Sequence, residues 1–455
     1  MTTFSYPTAT LEAEAQRLSQ RKFDAVSLLS LYVLLLMAVP AGQVFAPLGG
    51  AGGPATIYSA LLLVVYLVMW MHTGFPIDHR RQPVRVAGVL FLCVTLAAYV
   101  SANRRSLPTL ELNGADRGLI LVAGWLAVTL IGADAIDNVD RLRTLVRRVV
   151  LGATAMAAVG ITQFATGFDL VKYIVIPGLV ENSVVTNQFS RDGLDRPSAT
   201  AAHPLEFAAV LGMCLPLAVH QARFAPPELC RRRWLQVALI AGALPLTVSR
   251  SAFLALAVAA AVMIPTWPKR DRRQAYLVIF VASVALWLTV PGLLGTVRDL
   301  FLAVGNGTDT SAASRSSAFD SALPFISQHP WFGRGFGTFL PQTYFFTDDQ
   351  YLNSTIEIGI VGLAALLGLF VSGWMAARNA RRLATDPSDR DLAQCFAAST
   401  AAAAIAFSTF DALSFTIAAG LTFLLLGCTG AAWRLMRQRE PSGVRPDTTR
   451  HMGLR

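Results

Sequence analysis

Long apolar runs separated by short polar stretches fill this chain from about residue 25 onward. The hydrocarbon core of a bilayer is about 30 Å thick and takes ~20 apolar residues as a helix. By that measure the pattern predicts about twelve spans, at 25–46, 56–73, 86–101, 118–133, 148–166, 204–220, 234–248, 251–267, 275–295, 354–376, 392–409 and 412–433. The seventh and eighth are short. Arg231, Arg232 and Arg233 precede that pair, and Lys269, Arg270, Arg272 and Arg273 follow it, so both clusters belong on the cytoplasmic side. The chain must cross out and back between them, which puts Ser249 and Arg250 at the outer tip of a tight helical hairpin. The expected fold class is all-α, a polytopic membrane protein with a large extracytoplasmic loop before helix 10.

The domain layout follows from the same pattern. A cytoplasmic tail covers 1–24, helices 1–9 cover 25–295 with an outer segment at 167–203, and the large loop covers 296–353. Helices 10–12 cover 354–436, and 437–455 is expected to be a disordered cytoplasmic tail. Composition agrees with a membrane protein: 54% of the 455 residues are hydrophobic and 15% charged, against about 25% charged in soluble domains. The net charge of +10 does not point to nucleic acid, which calls for a basic face on a soluble domain. Here the arginines sit in short loops, as in Arg80/Arg81/Arg85 and Arg378/Arg381/Arg382. Most then fall on the cytoplasmic side, with both termini. The five cysteines show no C-x-x-C spacing and read as small core residues. Neither a cofactor nor a metal site is expected.

The loop at 296–353 is the first place to look for chemistry. It holds two adjacent carboxylates, Asp348 and Asp349, just before a helix bearing Glu357. A carboxylate there could take the proton of an attacking hydroxyl, or cap the helix start. A pair allows one of each. Arg191, Arg196, Arg250, Arg315 and Arg334 lie on or near the same outer side, and guanidinium forks grip phosphate oxygens bidentately. Arg250 stands out, because it ends an apolar run where charge is costly. His203 precedes Pro204 at a helix start and suits a phosphate contact, a base or plain capping. Glu206 enters the same span and calls for a partner, one of the arginines being the obvious choice. His329 and the glycines at 333, 335 and 337 read as a tight turn, since the Walker pattern is missing. Asp134, Asp137 and Asp140 read as a solvated face, and Asp411 as a turn residue.

Four stretches together resemble the O-antigen ligase and polymerase superfamily. They are Leu-Thr-Val-Ser-Arg-Ser-Ala-Phe-Leu-Ala (246–255), His-Pro-Trp-Phe-Gly-Arg-Gly-Phe-Gly-Thr-Phe (329–339), Asp-Asp-Gln-Tyr-Leu-Asn-Ser-Thr-Ile-Glu-Ile-Gly-Ile-Val-Gly-Leu (348–363) and, more weakly, 196–208. The likeness covers roughly 190–375. It implies a bacterial inner-membrane glycosyltransferase, ligase or polymerase. Such an enzyme moves an undecaprenyl-pyrophosphate-linked glycan onto an acceptor hydroxyl on the outer side, without a metal and with inversion. The family's pyrophosphate-binding arginines map best to Arg250 and to Arg191 or Arg196. One departure matters: where O-antigen ligases carry a catalytic histidine followed by asparagine, this chain has Asp348 and Asp349, closer to the Asp-Asn of exopolysaccharide-type relatives. From another class, the rival is a lipid-linked glycan flippase or transporter of similar span count. A third reading is a non-catalytic scaffold.

Overall fold

The computed structural model describes residues 24–71, 82–182, 190–191, 194–289 and 310–439. Residues 1–23 of the expected N-terminal tail, Arg80 and Arg81, residues 296–309 of the loop and the tail from 440 lie outside them. The chain is a helical bundle. Its helices are α1 (Ala25–Ala38), α2 (Pro54–Met71), α3 (Pro83–Ala102), α4 (Thr109–Ala135), α5 (Val139–Thr166), α6 (Pro204–Arg223) and α7 (Pro227–Leu246). They continue with α8 (Arg250–Met263), α9 (Lys269–Thr289), α10 (Thr310–Gln328), α11 (Gln350–Leu383), α12 (Pro387–Phe407) and α13 (Thr416–Gln438). Two short antiparallel pairs accompany them, β1 (Gln43–Val44) with β2 (Val180–Glu181) and β3 (Ser190–Arg191) with β4 (Leu194–Asp195).

Each expected span overlaps one helix, and among the described residues seven helices are long and apolar enough to cross a membrane: α2, α3, α4, α5, α6, α11 and α13. The expected count of twelve is higher because α1 and α8 are apolar but short, while α7, α9 and α12 carry charges in their opening turns. Within the expected loop the described residues include a helix, α10, and α11 begins at Gln350, slightly before the expected span.

The core lies where small residues let helices close up. A Cβ at Gly427 of α13 would fall under 3.0 Å from Thr129 O of α4, the kind of approach that glycine permits between membrane helices. Almost nine tenths of the apolar window of α13 is buried, so it is the bundle's axis. By contrast α2, α3 and α9 present rows of exposed apolar side chains, such as Leu61, Val64, Leu67 and Val68 on α2. Such surfaces suit acyl chains, with backbone polar groups satisfied inside each helix.

Candidate active site

At one end of the bundle α5, α7 and α12 finish and α6, α8, α11 and α13 begin. The segment leading into α6 is pinned there from several sides. Ala199 N donates to Gln163 Oε1 at 2.8 Å, Thr200 Oγ donates to Met37 O at 2.7 Å, and Arg196 Nε donates to Thr247 O at 2.7 Å. The last bond ties Arg196 to the α7–α8 hairpin tip, three residues before Arg250, which opens α8. Glu206 is fully buried. An arginine partner was expected; among the described residues its partners are instead backbone N–H groups: Ala202 at 2.8 Å and, across the bundle, Ile417 at 2.7 Å and Ala418 at 3.1 Å. A carboxylate at the start of α13 satisfies orphan donors and meets the positive end of the helix dipole.

His203 is the N-cap of α6, and its Nδ1 accepts from Leu205 N at 3.1 Å. The neutral ring therefore carries its proton on Nε2. In this arrangement it is a hydrogen-bond donor, and acting as a base would cost the capping bond. Burial, helped by the Arg196 charge, lowers its pKa to about 4. Between the unfolded value of 6.5 and the folded value of about 4, the unfolded chain binds a proton that the folded chain does not. Stability is expected to fall as pH drops through this window, and His203→Gln to remove that part of the fall. Thermal unfolding of both proteins from pH 7 to pH 4 checks it.

The two adjacent aspartates divide their work. Asp349 Oδ1 accepts from Tyr351 N at 2.8 Å and Leu352 N at 3.4 Å, capping α11. Asp348 is exposed and sits at φ +49°. Among the described residues three non-glycine positions have positive φ: Ala199, Val248 and Asp348. Each stands in one of the stretches the sequence singled out, and for a β-branched valine the conformation is a genuine outlier. Strained backbone of this kind gathers at functional sites.

Sequence reasoning missed Asp411. Gln350, buried beside the aspartate pair, accepts from Leu413 N through Oε1 at 2.7 Å, and Tyr351 OH donates to Ala404 O at 2.6 Å. These bonds hold the α12–α13 connection against the start of α11. Burial first, and then the Asp348 charge, raise the Asp411 pKa to about 6. In the same connection Phe415 contacts the His203 ring, with centroids 6.1 Å apart. Arg196 is thus coupled to His203 and Asp348 to Asp411, and Phe415 links the two pairs. An acidic residue between two apolar spans was the available signal, but only the fold shows what it faces.

The turn at 329–339 docks on a break in α11 at Gly359, φ +69°. Ile360 N donates to Pro330 O at 2.9 Å and Val361 N to Trp331 O at 3.2 Å, while Arg334 N donates to Ile356 O at 3.0 Å and Gly335 N to Glu357 O at 2.7 Å. The Glu357 carboxylate in turn accepts from Gly337 N at 2.9 Å and Phe339 N at 3.2 Å. Arg334, expected among the phosphate-binding arginines, has partners within the protein. It is buried, donates to Tyr344 OH at 2.5 Å and pairs with Glu111 of α4 at 3.5 Å. Of the remaining candidates, Arg191 lies in β3 opposite Leu194 and Arg315 in the second turn of α10; their side chains fall outside the description.

At the opposite end the charges are mostly paired. Asp134 is not on a solvated face but buried, accepting from Tyr66 OH at 3.0 Å and Arg85 at 3.2 Å. His220, Asp391 and Cys395 form a buried group whose ligand-type atoms lie within 4.8 Å of one another, a cluster the sequence did not reveal. It is already engaged without an ion, since His220 Nδ1 is 2.9 Å from Asp391 and Arg223 Nη1 donates to the same carboxylate at 2.5 Å.

Residues 235–367 match the family model described as O-antigen ligase, and the chain resembles that superfamily on this ground. The matched stretch holds Arg250, Asp348, Asp349 and Glu357; Arg196, His203 and Asp411 lie outside it. No curated protein matches the chain.

Proposed function

From a multi-pass helical membrane protein that is O-antigen ligase-like over residues 235–367, we propose a glycosyltransferase, ligase or polymerase, that uses an undecaprenyl-pyrophosphate-linked glycan. The observation that carries this reading is the convergence of the Arg196–His203 segment and the Arg250 hairpin with the Asp348–Asp411 carboxylates at one end of the bundle. That end faces the outer side. The opposite end carries Arg141, Arg143, Arg223 and Arg439, in line with a cytoplasmic face.

Arg250 and Arg196 hold the pyrophosphate, and His203 Nε2–H donates to one of its oxygens. Asp348 accepts the proton of the acceptor hydroxyl as its oxygen attacks the anomeric carbon. The bond from that carbon to the distal phosphate oxygen breaks, and polyprenyl pyrophosphate leaves with the electron pair. One displacement inverts the anomeric centre. The leaving group is already good, so the protein contributes alignment and charge stabilisation.

The role of Arg250 is tested by complementation of a deletion strain with Arg250→Ala. Loss of a preorganised donor to developing charge costs about 10²- to 10³-fold in rate. Surface glycan is therefore expected to disappear while the variant stays inserted in the membrane. A glycan level equal to wild type would remove Arg250 from the site.

A further inference from the structure

Two guanidinium groups and one carboxylate meet where α4 begins. Arg105 Nη2 donates to Glu111 Oε2 at 3.2 Å and to Arg334 O at 2.9 Å. Arg334 reaches the same Glu111 oxygen at 3.5 Å, and Tyr344 OH takes the other at 2.5 Å. The Arg334 side chain is only 9% exposed, and the Nε atoms of both arginines are buried without a hydrogen-bond partner. His329 belongs to the same turn as Arg334, its carbonyl accepting from Gly333 N at 3.0 Å; burial first, and then the Arg105 and Arg334 charges, lower its pKa. A single carboxylate neutralises one guanidinium. Among the described residues the second has no carboxylate of its own, and the Phe325 and Tyr344 rings against Arg334 offset its charge only in part, so a further anion is favoured there. Arg105, 26% exposed, and the half-buried His329 are the members that reach solvent.

We propose that Arg105, Arg334 and His329 form an oxyanion subsite for an acidic group carried by the glycan, separate from the pyrophosphate contacts of Arg196 and Arg250. The identity of the occupant as glycan rests on the transferase reading; the anion site itself rests on the cluster. A carboxylate of a uronic acid is the chemistry that fits, since a guanidinium fork matches two coplanar oxygens.

The test uses the full-length protein in nanodiscs of zwitterionic lipid, with thermal unfolding followed in sodium glucuronate or glucose at matched ionic strength. Binding to the folded state alone raises the midpoint. Glucuronate at tens of millimolar is expected to raise it by about 2–4 °C, glucose not at all, and Arg105→Gln to abolish the shift. Where Arg105→Gln does not fold, Arg105→Lys keeps the charge without the fork and is expected to respond several-fold more weakly. Glu111→Gln, if folded, removes the competing carboxylate and is expected to enlarge the shift. Arg250→Ala is expected to keep the response after transfer is lost, which separates this site from the catalytic reading. The proposal is overturned if glucose acts like glucuronate, if the Arg105 variants respond like wild type, or if Glu111→Gln weakens the response. It is also overturned if only discs containing phosphatidylglycerol shift the midpoint, since the occupant is then a lipid headgroup.

Discussion

Asp348→Asn is expected to lower glycan transfer by about 10²- to 10⁴-fold, the usual contribution of a positioned general base, with little change in stability. The substitution is a clean one. Asp348 sits at φ +49°, and asparagine tolerates that left-handed conformation as well as aspartate does. The side chain is exposed and keeps its size, so the change removes basicity and charge while leaving the backbone alone. Asp349→Ala is expected to behave in the opposite way. It removes the cap that Tyr351 N and Leu352 N rely on, costing about 1 kcal/mol, with transfer largely retained.

Asp411 gives the same site a pH signature. Its pKa, raised to about 6 by burial and then by the Asp348 charge, makes it a proton-binding neighbour. Once it binds that proton, the site loses the negative charge that faces Asp348. Transfer is expected to fall as pH drops through about 6, and Asp411→Asn to erase that limb. A purified-enzyme rate profile from pH 5 to pH 8 reads both variants. If Asp348→Asn transfers at the wild-type rate, Asp348 is not the base.

The largest stability effect is expected at the docked turn. A Cβ at Gly359 would lie under 3.0 Å from Trp331 O and Phe332 N, and one at Gly333 under 3.0 Å from the backbone of Glu357. Both glycines also have positive φ, +69° and +66°. Backbone meets backbone here, so no side chain can yield. Gly359→Ala and Gly333→Ala are each expected to destabilise the protein by on the order of 3–5 kcal/mol, seen as loss of folded protein on extraction. Gly368→Ala, on the same helix α11 with nothing near its added Cβ, is the control and is expected to be neutral or stabilising by up to ~1 kcal/mol. A Gly359→Ala protein as stable as that control would mean the turn does not seat on the helix break.

The parts of this site that sequence made legible are those whose logic is local. Apolar runs marked the helices, and glycine spacing marked the turn at 329–339. The aspartate pair before an apolar run carried both of its meanings, cap and reactive group, and the structure assigns capping to Asp349. What stayed hidden depends on contacts distant in the chain. Glu206 reads as an acid in search of a cation, because the donors it uses are 211 residues away and carry no side-chain signature. Arg334 reads as an outer arginine free for phosphate because Glu111 is 223 residues upstream on another helix. Asp411 reads as a turn residue because its place near Asp348 is made by a bond from Leu413 to Gln350, 63 residues apart. The count of spans differs for another reason: α7, α9 and α12 are apolar over part of their length only, and flanking charge decides how each is counted.

The measurement that bears most directly on the central claim uses the purified full-length protein in proteoliposomes supplied with an undecaprenyl-pyrophosphate-linked glycan and a glycan acceptor. The expected result is a longer or newly attached glycan, with one polyprenyl pyrophosphate released per glycan transferred and both products missing with Asp348→Asn. Intact lipid-linked glycan that merely changes leaflets, with no pyrophosphate released, would contradict the transferase and identify a transporter.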